Sequence, residues 1–217
     1  MAYEALTYLP TPDTLPKVGP GFSTQALTQN TPGMTHELND GSSIGVEFNG
    51  SFWTINISYP EFTEEEALPL EAFFNTIRGA FKSFYVSLPR RTFPSAGLWA
   101  NNILQLSVSE TDDSILHISN WGAQASRGTI SINDCLKINT GNKIYVVSDV
   151  TLDGDVLKVQ LSSPIVNKAT VPVSALLAEE NNNIKFKVRL TSGMPVFTLT
   201  SEGVYNGFSI SMRENIR

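Results

Sequence analysis

The chain has 217 residues, 41% of them hydrophobic, with one cysteine and a formal net charge of -6. That length and apolar content suit one large or two small globular domains with a real core, which argues against disorder, and no run of about 18 apolar residues is present to cross a membrane as a helix. The acidic balance argues against a protein that grips nucleic acid by its phosphates.

The N-terminus, MAYEALTYLPTPDTLPKVGPG, lacks the basic start and apolar stretch of a signal peptide, so folding in a cytoplasm is expected. The first 50 residues are rich in Pro, Gly, Thr and Asn. They read as an extended arm or loop with one short strand around Ile44 to Phe48, or as a poorly ordered tail. Trp53, Ile55, Ile57 and Tyr59 then alternate with small polar residues, the pattern of a strand with one buried face.

The period changes at Thr63. Thr63 and Glu66 have capping-box spacing, and Ala67, Leu70, Phe73 or Phe74, and Ile77 recur every three or four residues. This predicts an amphipathic helix over about 63–78. Glu64 to Glu66 suit its positive end, Arg78 its negative end, and Gly79 a stop. Pro69 either removes one hydrogen bond or marks the start of a shorter helix. Ser83 to Leu88 returns to alternation and ends at Pro89; Arg90 to Trp99 reads as a loop.

From about 103 short strands follow one another: Leu104, Leu106 and Val108; Ile115 to Ile118; Thr129 to Ile132. A hairpin runs from Lys143–Val147 through Asp153-Gly154 to Leu157–Leu161, the Asp-Gly pair supplying positive φ angles. Pro164 to Glu180 reads as a connector, with room for one helical turn at Ser174 to Glu180. The alternation is clearest at Ile184, Phe186, Val188 and Leu190, with Lys185, Lys187 and Arg189 on the opposite face. Val196 to Thr200 reads as a further strand, and Phe208, Ile210 and Met212 as the last. Charge follows this order: residues 1–100 carry five Lys/Arg against ten Asp/Glu, 101–183 five against nine, and 184–217 five against two. The basic end can match acidic surfaces of a neighbouring subunit or form a solvated strand face.

Nothing in this pattern calls for catalysis. His36 and His117 have no zinc-type partners at short spacing. Glu61 to Glu66 are explained by helix capping, and Asp112, Asp113, Asp153 and Asp155 by turns. Asp149, Asp153 and Asp155 lack the spacing and terminal glutamate of a calcium loop. There is no Gly-rich phosphate loop and no nucleophile elbow. Cys135, between Asp134 and Leu136 in a strand-like stretch, reads as a buried small hydrophobe rather than a reactive thiol. Trp99 and Trp121, beside loop residues, suit either the core or sugar stacking. No residue is assigned a catalytic, cofactor-binding or metal-binding role.

Three stretches in order resemble a known plan: Trp53-Thr-Ile-Asn-Ile-Ser-Tyr59; an acidic helix ending Phe73-Phe74-Asn75-Thr76-Ile77-Arg78-Gly79; and Phe84-Tyr85-Val86-Ser87-Leu88-Pro89. They are similar to the distal tail, or tail-tip hub, family of long-tailed bacteriophages. There a strand with Trp leads into a helix ending in Arg-Gly and then a strand ending near Pro. Thr140-Gly141-Asn142-Lys143-Ile144-Tyr145-Val146-Val147, the Asp-Gly hairpin, Leu161-Ser-Ser-Pro164-Ile165 and the closing Phe208–Glu214 strand resemble later parts of the plan, with Gly141-Asn142 where the family usually has Gly-Asp.

The resemblance implies a mainly β fold. A tube-like β-barrel or sandwich domain with one α-helix would span 1–100 and 184–217, interrupted by a small β-barrel, oligosaccharide-binding-fold-like domain at 101–183. It implies a non-enzymatic virion protein without cofactor: a hexameric ring at the tail tip, between the tail tube protein and the hub or fibre proteins. A host-surface glycan is a candidate partner for the insert. No sequence-specific nucleic acid and no membrane span are implied. An acidic lumen would suit a conduit, by repelling DNA phosphates. The rival readings are another tail component, such as a tube or terminator protein, and a carbohydrate-binding β module.

Overall fold

The computed structural model describes residues 8–12, 19–47, 50–92, 105–109, 111–119, 130–137, 142–166 and 183–216. Within them the protein is mainly β with one α-helix. By proximity the chain divides into two units. One takes Met1–Asn30, Phe52–Ser87 and Lys185–Ile216; the other takes Thr31–Ser51 and Leu88–Ile184.

The first unit is built on a five-stranded sheet in the order β1-β4-β12-β11-β5: β1 Thr24–Asn30, β4 Phe52–Ser58, β12 Ser209–Glu214, β11 Asn183–Leu190 and β5 Phe84–Thr92. β4 pairs antiparallel with both β1 and β12, and β12 with β11. The period-two pattern decides which side is covered. Trp53, Ile55 and Ile57 are buried on β4, Phe186 and Val188 on β11, and Ile210 and Met212 on β12. The polar residues between them face away. Glu214 also takes an inward position, where its carboxylate accepts the Trp53 backbone N–H at 3.2 Å.

Helix α1, Glu64–Ile77, covers the apolar side. The Glu66 carboxylate accepts the backbone N–H and the hydroxyl of Thr63, each at 3.1 Å, which fixes the first turn. The helix runs through Pro69 rather than starting there. It stops at Arg78, which is left-handed at φ 52, ahead of a turn of 3-10 helix at Gly79–Phe81. Both Phe73 and Phe74 are fully buried, where the sequence stripe had room for one. Phe73 meets Phe84 edge to face at 5.1 Å, whereas Phe74 reaches Phe197 at 6.1 Å and Phe208 at 6.3 Å. The helix is therefore clasped by the sheet on one flank and by the chain around 197–208 on the other.

The second unit carries a five-stranded sheet in the order β6-β7-β10-β9-β8: β6 Gln105–Val108, β7 Ile115–Ser119, β10 Val156–Leu161, β9 Ile144–Asp153 and β8 Cys135–Lys137. Its core includes Leu116, Ile118, Tyr145, Val147, Leu157 and Val159. The β9–β10 turn puts Gly154 at φ 60, while Asp153 belongs to the strand and pairs with Val156. A two-stranded hairpin, β2 Gly33–Glu37 with β3 Ser43–Glu47, also falls in this unit.

Four readings need correction. Residues 24–47 hold three strands, not a loop with one. β5 continues through Pro89 to Thr92; the proline is accommodated because β5 is at the sheet edge, where a missing N–H costs no ladder bond. Ile130 to Asp134 is a turn rather than a strand: Asn133 sits at φ 73, and the Asp134 carboxylate accepts the Ser131 N–H at 2.7 Å. Val196 to Thr200 makes a single bridge, Leu199 to Tyr205, because Phe197 turns into the aromatic cluster and Thr200 starts a turn. The connector helical turn at 174–180, Trp99 and Trp121 lie outside the described residues.

Candidate assembly surfaces

The β2–β3 hairpin is amphipathic, with its apolar side uncovered. Cross-strand pairing puts Met34 opposite Val46 and His36 opposite Ile44, so these four side chains share one face. Met34 is 67% exposed, Ile44 53% and Val46 54%. The other face carries Thr35 and Gly45. The turn is well made: Leu38 N–H donates to Ser42 O at 2.8 Å, and Gly41 adopts φ 82, as a three-residue hairpin loop requires. The Asp40 carboxylate accepts the Ser42 hydroxyl at 2.6 Å and its N–H at 2.9 Å, which holds it below the usual carboxylate range. A hydrogen-bonded tip thus closes an arm whose apolar side is exposed. The sequence signal was present in Met34, His36, Leu38, Ile44 and Val46 around Asn39-Asp40-Gly41. It was hidden by Gly33 and Gly45, which are poor strand formers.

A second surface is the side of the first sheet away from α1. Lys185, Lys187 and Arg189 of β11 and Arg213 of β12 occupy its outward positions. The Arg213 guanidinium lies 3.6 Å from the centre of the Phe52 ring, and Lys185 lies 5.2 Å from that of Tyr8, which stacks on Tyr85.

The residues weighed for chemistry are scattered over several elements. His36 is on the exposed hairpin, and His117 is on β7 opposite Lys158. Asp112 accepts the Ser114 N–H at 2.8 Å in a turn, and Asp153 pairs with Lys158 at 2.7 Å. Cys135 is buried. Among the described residues no three His, Cys, Asp or Glu side chains are grouped as metal ligands. The exposed hairpin and the cationic face are surfaces on which another chain could dock.

Comparison with known proteins narrows the class. Residues 9–91 match the family model described as "Distal tail protein pb9, A domain, N-terminal". Over 211 residues the chain is 26% identical to "Distal tail protein pb9" of Escherichia phage T5, covering 96% of this chain and 99% of that protein. By these matches the chain is homologous to the distal tail protein pb9 of phage T5. It is a structural, non-enzymatic component of the phage virion's tail tip, and its partners are other tail components.

Proposed function

We propose that the chain forms a closed ring of six copies that joins the tail tube to the tip or fibre apparatus. The observation that carries this reading is the β2–β3 hairpin with its apolar face in solvent. A two-stranded hairpin is marginal in water without further packing, and an exposed apolar stripe on it favours burial against a partner. An arm on one part of the surface that docks on a different part of the next copy makes a head-to-tail contact. Such contacts generate a ring when the rotation closes.

In this reading 1–100 and 184–217 form a tube-like β domain and 101–183 a small inserted β domain of the oligosaccharide-binding type. Support comes from the chain origins of the sheets. The first takes strands from 24–30, 52–92 and 183–214, the second from 105–161. Tail tube protein on one side and hub or fibre proteins on the other are the partners this position supplies.

Replacing Ile44 and Val46 together with Ser tests the arm. Fully burying each side chain is worth about 1.5–3 kcal/mol and about half of each is exposed, so losing both should weaken each contact at least about tenfold. Light scattering should then show a ring reduced to single chains, with an unchanged far-ultraviolet spectrum. Raised salt should loosen the wild-type ring only modestly, because exposed ion pairs contribute about 0–1 kcal/mol each. A wild-type chain that is monomeric at high concentration, or a variant that keeps the full ring mass, would overturn the reading.

A further inference from the structure

The outward side of the first sheet is a cationic surface on an acidic protein. Lys185, Lys187 and Arg189 follow one another at every second position of β11, and Arg213 stands directly opposite Arg189 on β12. These are four of the 15 Lys and Arg of a chain whose net charge is -6. The neighbouring outward positions carry hydroxyls and amides: Thr54 opposite Arg213, Asn56 opposite Ser211, and Ser58 opposite Ser209. On β1, the outward positions paired with these β4 residues are Thr24, Ala26 and Thr28. No carboxylate occupies an outward position of β1, β4, β11 or β12 among the described residues. Glu214, next to Arg213, is buried on the inner side instead.

Two features bear on what such a face is for. Like charges directly opposite each other on neighbouring strands destabilise a sheet, so Arg189 beside Arg213 costs stability unless an anion lies over them. Among the described residues the face also lacks an uncovered apolar centre. Its aromatic rings at Phe52 and Tyr8 lie under cations. Protein interfaces are built around an apolar core and a polar rim, whereas nucleic-acid interfaces are polar and positive throughout. A row of cations two residues apart, about 6.8 Å, also matches the rise over every second phosphate of one DNA strand.

We propose that this sheet face contacts duplex DNA through its phosphates, without reading sequence. A virion tail component meets that polymer when the genome passes, and a weak, salt-screened contact suits passage better than capture. The inference uses the tail-tip assignment for the source of DNA but does not require the ring. It replaces the expectation that an acidic surface would only repel DNA, since net charge conceals a local reversal of sign.

The test is fluorescence anisotropy of the full chain with two duplexes of unrelated sequence, from about 50 to 200 mM salt. Both should bind equally, and log affinity should fall linearly with log salt. The double variant Arg189→Gln/Arg213→Gln should bind at least about tenfold more weakly at the low end and lose about 1.8 from the slope, at about 0.9 per phosphate contact. Each single variant should lose about half of that, which keeps the test open if the double variant folds poorly. Lys158→Gln, on the other sheet, should change neither value. Removing the Arg189–Arg213 repulsion should leave the melting temperature unchanged or raised. Absent binding at about 50 mM salt, preference for one duplex, or an unaltered slope in the double variant would overturn the proposal. So would variants that keep DNA binding but lower the particle mass, which would make the face a contact between copies. A wild-type chain that binds DNA as a monomer would sink the ring and leave this inference standing.

Discussion

Tyr59 is packed among Phe22, Phe62 and Phe208, and its hydroxyl meets no hydrogen-bond partner among the described residues. Burial pushes its phenol far above the usual range. A buried, unmatched hydroxyl costs about 1–3 kcal/mol, so Tyr59→Phe should leave stability unchanged or raise it by about 1 kcal/mol, read from the urea midpoint. A loss of that size would show that the hydroxyl has a partner. On the surface, Lys158 holds the Asp153 carboxyl below its ordinary value of 3.8, by a hydrogen bond first and by charge second. The folded state therefore prefers the ionised acid, and the benefit is present above the unfolded value and lost as pH falls through the folded one. Lys158→Gln should flatten the acid limb of the stability curve slightly, because both groups are solvated. Single residues of this kind were partly legible. The turn role of Asp112 and the burial of Cys135 follow from local composition. The inward Glu214 was not, because its place depends on Trp53, 161 positions away.

Helix α1 shows what a pattern can and cannot resolve. Its start, its end and the residues of its stripe were readable from capping and spacing, since both are local. The choice between Phe73 and Phe74 was not, because one flank is covered by β5 and the other by a segment more than a hundred residues later. Both rings are fully buried. Replacing either with Ala should cost about 3–5 kcal/mol, measured by chemical denaturation, and a mild effect at one of them would mean that its flank is loosely packed. The missed strands have different causes. Pro89 reads as a stop unless the strand is known to lie at an edge, and the hairpin at 33–47 reads as a loop because Gly33 and Gly45 weaken its strand signal. Hydrophobic alternation reports a face that needs covering. It is silent on whether the cover is the same molecule.

At the scale of the molecule, the class of fold and its family were legible, and the strand order was not. No local signal tells β4 that its neighbour is β12, and the two are joined by five antiparallel register pairs between 54–58 and 209–213. That wiring has a consequence for biosynthesis. The first sheet cannot close until residue 214 has been made, because β12 lies between β4 and β11. The strands of the second sheet all lie between 105 and 161, and its hairpins close over short loops. On the ribosome, the part of the chain made second should therefore be the part that folds first, while the earlier strands wait without β11 and β12, their apolar residues exposed. Nascent chains stalled soon after residue 166 has left the exit tunnel should resist protease across 105–161 and be cut within 52–88. Protection of both regions at that length would mean that β4, α1 and β5 hold together without the C-terminal strands, and that the last fifty residues are added to a unit already formed.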